Sequence, residues 1–245
     1  MSKKNNKNGK AKAGKWILLI LAVLLAAFVL LMVIMPEDTE ETTETAAAIV
    51  EADVSQWDSD GMYINDELKI TDVGKYTGIY MEDGSDEVVT GVLMIIVENI
   101  GKNTIQYGEI TIPTQNGDAW FKVTTLPAGE SVVLLEQNRM PWSEQETYTK
   151  ATADNVAFFL EEPTMCEDQL RVMALDGAIN VTNISGAPIE EDIVIYYKNA
   201  ASDLYYGGIT YRIRIEGGMK ADEIKQIMAN HFSMSGSKIM FVTIG

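Results

Sequence analysis

The apolar positions of this chain change rhythm twice. Residues 16–35, WILLILAVLLAAFVLLMVIM, are an unbroken run of 20 with no charge and no polar side chain. At ~1.5 Å per residue this predicts a helix of about 30 Å, the thickness of a bilayer's hydrocarbon core. Fourteen of the 20 are Leu, Ile, Val or Phe, and at ~0.3–0.6 kcal/mol each they favour insertion by roughly 4–8 kcal/mol. Pro36 ends the run. Residues 36–56 are acidic, Thr-rich and almost without large apolar side chains, the composition of a solvated, disordered linker. From Trp57 onward, short apolar runs alternate with turn residues, which is the rhythm of strands.

Those runs can be placed one by one. Residues 68–73 alternate. GVLMIIV, within 88–97, is almost continuous and reads as a strand buried on both faces. Residues 104–112 alternate loosely, and 119–126 follow the turn QNGD. SVVLLE (131–136) is a second buried run. A polar loop over 138–154 carries Pro141 and Trp142, and VAFFL (156–160) closes this part. Glu161, Glu162 and Pro163 mark a boundary, because proline stops ladder pairing and acids blunt an edge. Beyond it, strands are predicted over 170–175, 178–181, 193–197, 209–215 and 238–244. In 209–215 the alternation is strict, with Ile209, Tyr211, Ile213 and Ile215 on one face and Thr210, Arg212 and Arg214 on the other. Between them Ile224, Ile227, Met228 and His231 recur at i, i+3, i+4 and i+7, with Asp222 and Glu223 ahead of them. That spacing predicts one short helix.

The two parts read as a repeat. VENIGKNTI (97–105) lies over VTNISGAPI (181–189) without a gap, and Ala128-Gly129-Glu130 matches Ala221-Asp222-Glu223. Each copy is a series of short strands at hairpin spacing. The expected architecture is mainly β: one N-terminal transmembrane helix, then two tandem Ig-like β-sandwich repeats, the second with a short helix. The segments are a basic tail over 1–15, a membrane anchor over 16–35, the linker over 36–56, and repeats over 57–163 and 168–245. Strand, V-x-N-x-G turn, aromatic strand and A-G-E step together resemble the small Ig-like extracytoplasmic domains of Gram-positive bacteria, the FxLYD-type domains being the nearest. The resemblance covers residues 88–136 and, more weakly, 178–224. It implies a surface-exposed binding or structural module with no catalytic residues to carry over.

Charge orients the anchor. Lys3, Lys4, Lys7, Lys10, Lys12 and Lys15 precede it, and Glu37, Asp38, Glu40, Glu41 and Glu44 follow it. Lysine excess marks the cytoplasmic side, so an uncleaved, single-pass signal anchor is expected, with the N-terminus inside and the remainder outside the cell membrane. Removing these six lysines from 19 basic residues leaves 13 against 36 acids, a formal charge of −23 outside. Such a surface repels nucleic acid, so no nucleic-acid partner is expected. Cys166, the single cysteine, cannot form an internal disulfide.

Candidate chemistry is sparse. No G-x-S-x-G, Walker A, G-x-G-x-x-G or H-E-x-x-H pattern occurs, and no catalytic, cofactor-binding or metal site is expected. His231 and Cys166 cannot assemble a zinc site, which wants four N/S ligands. The acidic turns 58–61 and 82–87 read as solvated loops ahead of calcium sites. The partner-binding candidates are Tyr205, Tyr206, Arg212 and Arg214, because tyrosine and arginine combine contact area with donors. The competing reading of the arginines is surface ion pairs with Glu190, Glu191 or Asp192. The expected function is a non-enzymatic, membrane-anchored binding or scaffolding ectodomain, an accessory subunit of a cell-envelope complex. The alternatives are a ligand-sensing ectodomain and, below it, an envelope enzyme.

Overall fold

The computed structural model describes residues 49–52 and 61–245. The expected basic tail and membrane anchor lie outside them. The described chain is mainly β, and among the described residues there is no helix. Its strands are β1 (Ile49–Ala52), β2 (Met62–Tyr63), β3 (Leu68–Ile79), β4 (Val88–Asn99), β5 (Ile105–Thr114), β6 (Gly117–Leu126) and β7 (Ser131–Leu135), followed by β8 (Thr152–Phe158) and β9 (Leu170–Leu175). The remainder are β10 (Ala178–Asn183), β11 (Ile193–Ala201), β12 (Leu204–Ile215), β13 (Ile224–Met228) and β14 (Ser237–Ile244).

They make three sheets. The largest runs β1-β3-β4-β7-β12-β11-β14, with β2 also paired to β3; the others run β13-β10-β9 and β6-β5-β8. Strand order therefore repeats. In the first half β3-β4-β7 faces β6-β5-β8, and in the second β9-β10-β13 faces β12-β11-β14. One core lies between each pair. Leu93, Ile95 and Val97 of β4 meet Ile110 and Phe121 in the first, and Ile179 and Val181 of β10 meet Ile195 and Val242 in the second. β7 and β12 then pair in parallel, Ser131↔Leu204 to Val133↔Tyr206, and fuse one sheet of each half into the large one. Ala46–Gly245 is one compact unit.

β12 shows how the layers alternate. Tyr205 and its partner Ala200 pack into the first core, whereas Tyr197 and Tyr211 pack into the second. The two small sheets thus cover opposite faces of the large one. The GVLMIIV run is buried on both faces as its composition predicts. Leu93, Ile95 and Val97 enter the first core, and Val92 and Met94 a third cluster with Tyr76, Tyr80, Val133 and Leu135.

The buried asparagines Asn99 and Asn183 hold the two corresponding corners. Asn99 Nδ2 donates to the carbonyls of Asn103 (3.0 Å) and Leu126 (2.8 Å), and its Oδ1 accepts from Gly101 N–H. Asn183 Nδ2 donates to Ala187 (2.7 Å), Lys220 (3.0 Å) and Met219 (3.3 Å), and its Oδ1 accepts from Ser185 N–H. The Asn shared by VENI and VTNI is therefore a buried peptide-group substitute, which closes the turn from inside.

Three expectations are corrected. Residues 224–228 form a strand, not a helix: Ile227 packs inward while Ile224 and Met228 point out, 67% and 68% exposed. β10 needs a partner for its amides, and that tertiary demand overrides a helical spacing only two turns long. Residues 49–52, placed by composition in the linker, pair antiparallel with β3 from Ile49↔Thr77 to Ala52↔Gly74. The VAFFL strand begins at Thr152 and ends at Phe158, leaving Leu160 fully exposed.

Candidate functional site

The polar groups with the most unusual surroundings lie where the two halves meet. Glu82, in the β3–β4 connection, is 5% exposed, and Lys198 of β11 is fully buried. Glu82 Oε1 accepts from Leu135 N–H (2.8 Å). Its Oε2 accepts from Gly208 N–H (2.7 Å) and Gln137 Nε2 (3.2 Å). Leu135 ends β7 and Gly208 lies on β12, just past the last parallel pair. The carboxylate thus continues the β7–β12 ladder where the strands diverge. Lys198 Nζ donates to the carbonyls of Thr124 (3.0 Å), on β6, and Ile209 (2.9 Å). Thr124 Oγ1 donates to Gly208 O (2.6 Å) and lies 2.8 Å from Thr210 Oγ1.

Electrostatics follow from burial. Loss of water pushes the Glu82 carboxyl up from its ordinary range, against the amide donors that favour its charge. Loss of water likewise pushes the Lys198 ammonium down, against the attraction of Glu82. Around this pair the backbones come unusually close. A Cβ on Gly208 would stand 1.8 Å from Lys122 O, and one on Gly207, at φ +82°, would stand 2.4 Å from Met81 O. The Gly207-Gly208 doublet is a packing requirement of the junction.

The predicted partner residues separate accordingly. Tyr205, expected in a surface loop, lies in β12 and is 2% exposed within the first core. Tyr206 is half-buried against the third cluster on the opposite face. Arg212 and Arg214 do share an exposed face. Arg214 pairs with Asp192, as the ion-pair reading predicts, while Arg212 stands opposite Tyr196. The Tyr196 ring stacks on Phe241 at 4.2 Å, and Phe159 meets Phe241 edge-on at 5.3 Å. The structure thus brings together the two arginines and an aromatic group that sequence reasoning did not assign there.

The acidic turn 82–87 is also spoken for. Asp83 and Glu87 pair with Arg139 (3.2 and 2.6 Å), and Asp86 approaches His231 Nδ1 (3.3 Å), whose ring stacks on Tyr211. The other acidic turn, 58–61, lies outside the described residues apart from Gly61. Cys166 packs against the second core and its Sγ lies 3.5 Å from Val242 O. Sequence reasoning read Glu82 as part of a solvated acidic turn, which its burial corrects, and did not single out Lys198, since the partners that bury both lie far away in the chain. The signals available were a lysine inside an apolar strand and the glycine doublet.

No protein-family model matches this sequence, and no curated protein matches it.

Proposed function

We propose that this chain is a non-enzymatic, single-pass cell-envelope protein whose two Ig-like halves form one binding or scaffolding platform outside the membrane. The observation that carries this reading is the destination of the buried charges. Glu82, Lys198 and Glu136 are bonded to backbone groups of the fold itself; Glu136 accepts from the amides of Trp120, Asn138 and Met140. Such groups rigidify a platform, as a scaffold requires. The apolar run 16–35 and its lysine and glutamate flanks support anchoring with the N-terminus inside. The binding face is the open half of the large sheet around Arg212, Arg214 and Tyr196, where two exposed guanidinium groups stand beside the half-buried Tyr196 ring.

Two measurements test it. In a Cys166→Ser background, a cysteine at Ser235 reacts with an impermeant thiol reagent on intact cells and one at Asn8 does not. The reverse labelling would overturn the topology. Detergent-solubilised membranes should yield a stoichiometric partner that Arg212→Ala with Arg214→Ala releases while the melting temperature stays unchanged. A retained partner would exclude this face.

A further inference from the structure

The internal repeat makes one strand edge conspicuous. Aligned through Ala128-Gly129-Glu130 and Ala221-Asp222-Glu223, β7 and β13 occupy the same place, each beside the strand that ends in the corner asparagine. Ser131, Val133 and Leu135 then correspond to Ile224, Gln226 and Met228.

On β7 the even-numbered residues face β4, as shown at both ends by Asn99 N–H to Glu130 O and Glu136 N–H to Leu93 O. The amides of Ser131, Val133 and Leu135 face the other way, and that edge is occupied as well. Leu204 and Tyr206 stand opposite the first two, and the Glu82 carboxylate takes the third. On β13 the odd-numbered residues face β10, from Asn183 N–H to Glu223 O at one end to Ala229 N–H to Gly177 O at the other. By the same alternation, Ile224, Gln226 and Met228 turn their N–H and C=O groups toward an edge at which the sheet ends among the described residues.

The side chains at this edge match its backbone. Ile224 and Met228 are 67% and 68% exposed, and Met173, across β10 on the same face, is 53% exposed. Charge there is balanced, with Lys220 and Lys225 against Asp222 and Glu223, in a protein whose net charge is −17. Two acidic molecules can therefore approach here without the repulsion they meet elsewhere.

We propose that β13 is an interface strand: the β13 edges of two copies of this chain pair antiparallel about a two-fold axis at Gln226. The axis sets Gln226 opposite Gln226 of the second copy and Ile224 opposite Met228 of the second copy. All three free amide and carbonyl sets on each edge are then used. The two three-stranded sheets become one of six strands, and on its exposed face Ile224 of each copy lies beside Met228 of the other, with the two Gln226 side chains between these apolar pairs. Such an isologous contact closes on itself, as a two-fold dimer requires.

The test uses the full chain in its membrane. In a Cys166→Ser background, Gln226→Cys is treated with a short bifunctional thiol reagent. Ser202→Cys, in the exposed β11–β12 turn, is the control. The expected result is a crosslinked dimer for the position-226 variant and none for the control. Adding Ile224→Lys and Met228→Lys to the Gln226→Cys chain should abolish the dimer. Both side chains point to solvent, so the melting temperature of that variant should not move. No dimer at position 226, a dimer equally strong at position 202, or a dimer that survives both lysines at unchanged stability would each overturn the proposal. If the lysine variant instead melts lower, a cysteine at Thr182, one strand further from the axis, decides: a weaker crosslink than at 226 supports the pairing, and an equal or stronger one overturns it.

Discussion

Individual polar residues decide how tightly the halves hold. Asn183, itself fully buried, makes three donor contacts to carbonyls that are buried or partly buried, so Asn183→Ala strands several groups at once. The expected loss is about 2–4 kcal/mol, read from urea unfolding of the folded unit, and Asn99→Ala should behave alike. A loss below about 0.5 kcal/mol would show that water replaces the amide. Glu82 carries a pH dependence. Burial raises its pKa from 4.5 to about 7. A carboxyl raised on folding contributes stability that is present below pH 4.5 and lost as pH rises through 7. Lys198, lowered from 10.5 to about 7, contributes stability that is present above pH 10.5 and lost as pH falls toward 7. Glu82→Gln should be less stable at every pH, because one acceptor oxygen cannot serve both Leu135 and Gly208. Its stability should also stop declining between pH 4.5 and 7, so the gap to the native protein widens as pH falls. Parallel pH profiles would refute the assignment.

Among the elements, β12 carries the most. It belongs to both halves, and it comes within backbone contact of β6 because Gly208 has no side chain, and of Met81 because Gly207 has none. Gly208→Ala places a methyl 1.8 Å from Lys122 O, so β12 or β6 must move and the Glu82 and Lys198 bonds with it. A cost on the order of 3 kcal/mol is expected in chemical denaturation. An alanine variant as stable as the native protein would mean the junction is looser than its geometry indicates. β13 teaches a different point. Its residues satisfy a helical stripe, yet the same residues align with SVVLL of the first half, which is a strand. Long-range pairing with β10 outweighed local spacing over five residues.

As a whole molecule, the folded part should behave as one cooperative unit. The parallel β7–β12 pair, the Glu82 bridge and the Lys198 bonds all cross between the halves, so neither half keeps its polar groups satisfied when the other unfolds. Calorimetry of residues 46–245 should give one transition with a calorimetric to van't Hoff enthalpy ratio near one. Two resolved transitions would show halves that unfold independently.

What the sequence determined by itself was the rhythm. Alternation and buried runs located most of the strands, and the shared V-x-N corner pointed to two like halves, because side-chain period and turn chemistry are local properties. Only the tertiary structure decided which edges meet. That Tyr205 is core, that Glu82 completes a ladder, that Ile49–Ala52 pairs with β3 and that residues 224–228 are a strand all depend on partners far away in the chain. Glu82 and Gly208 are separated by 126 residues. A hydrogen bond at that separation leaves no period in the sequence, only a charge and a glycine whose purpose appears once the backbones have come together.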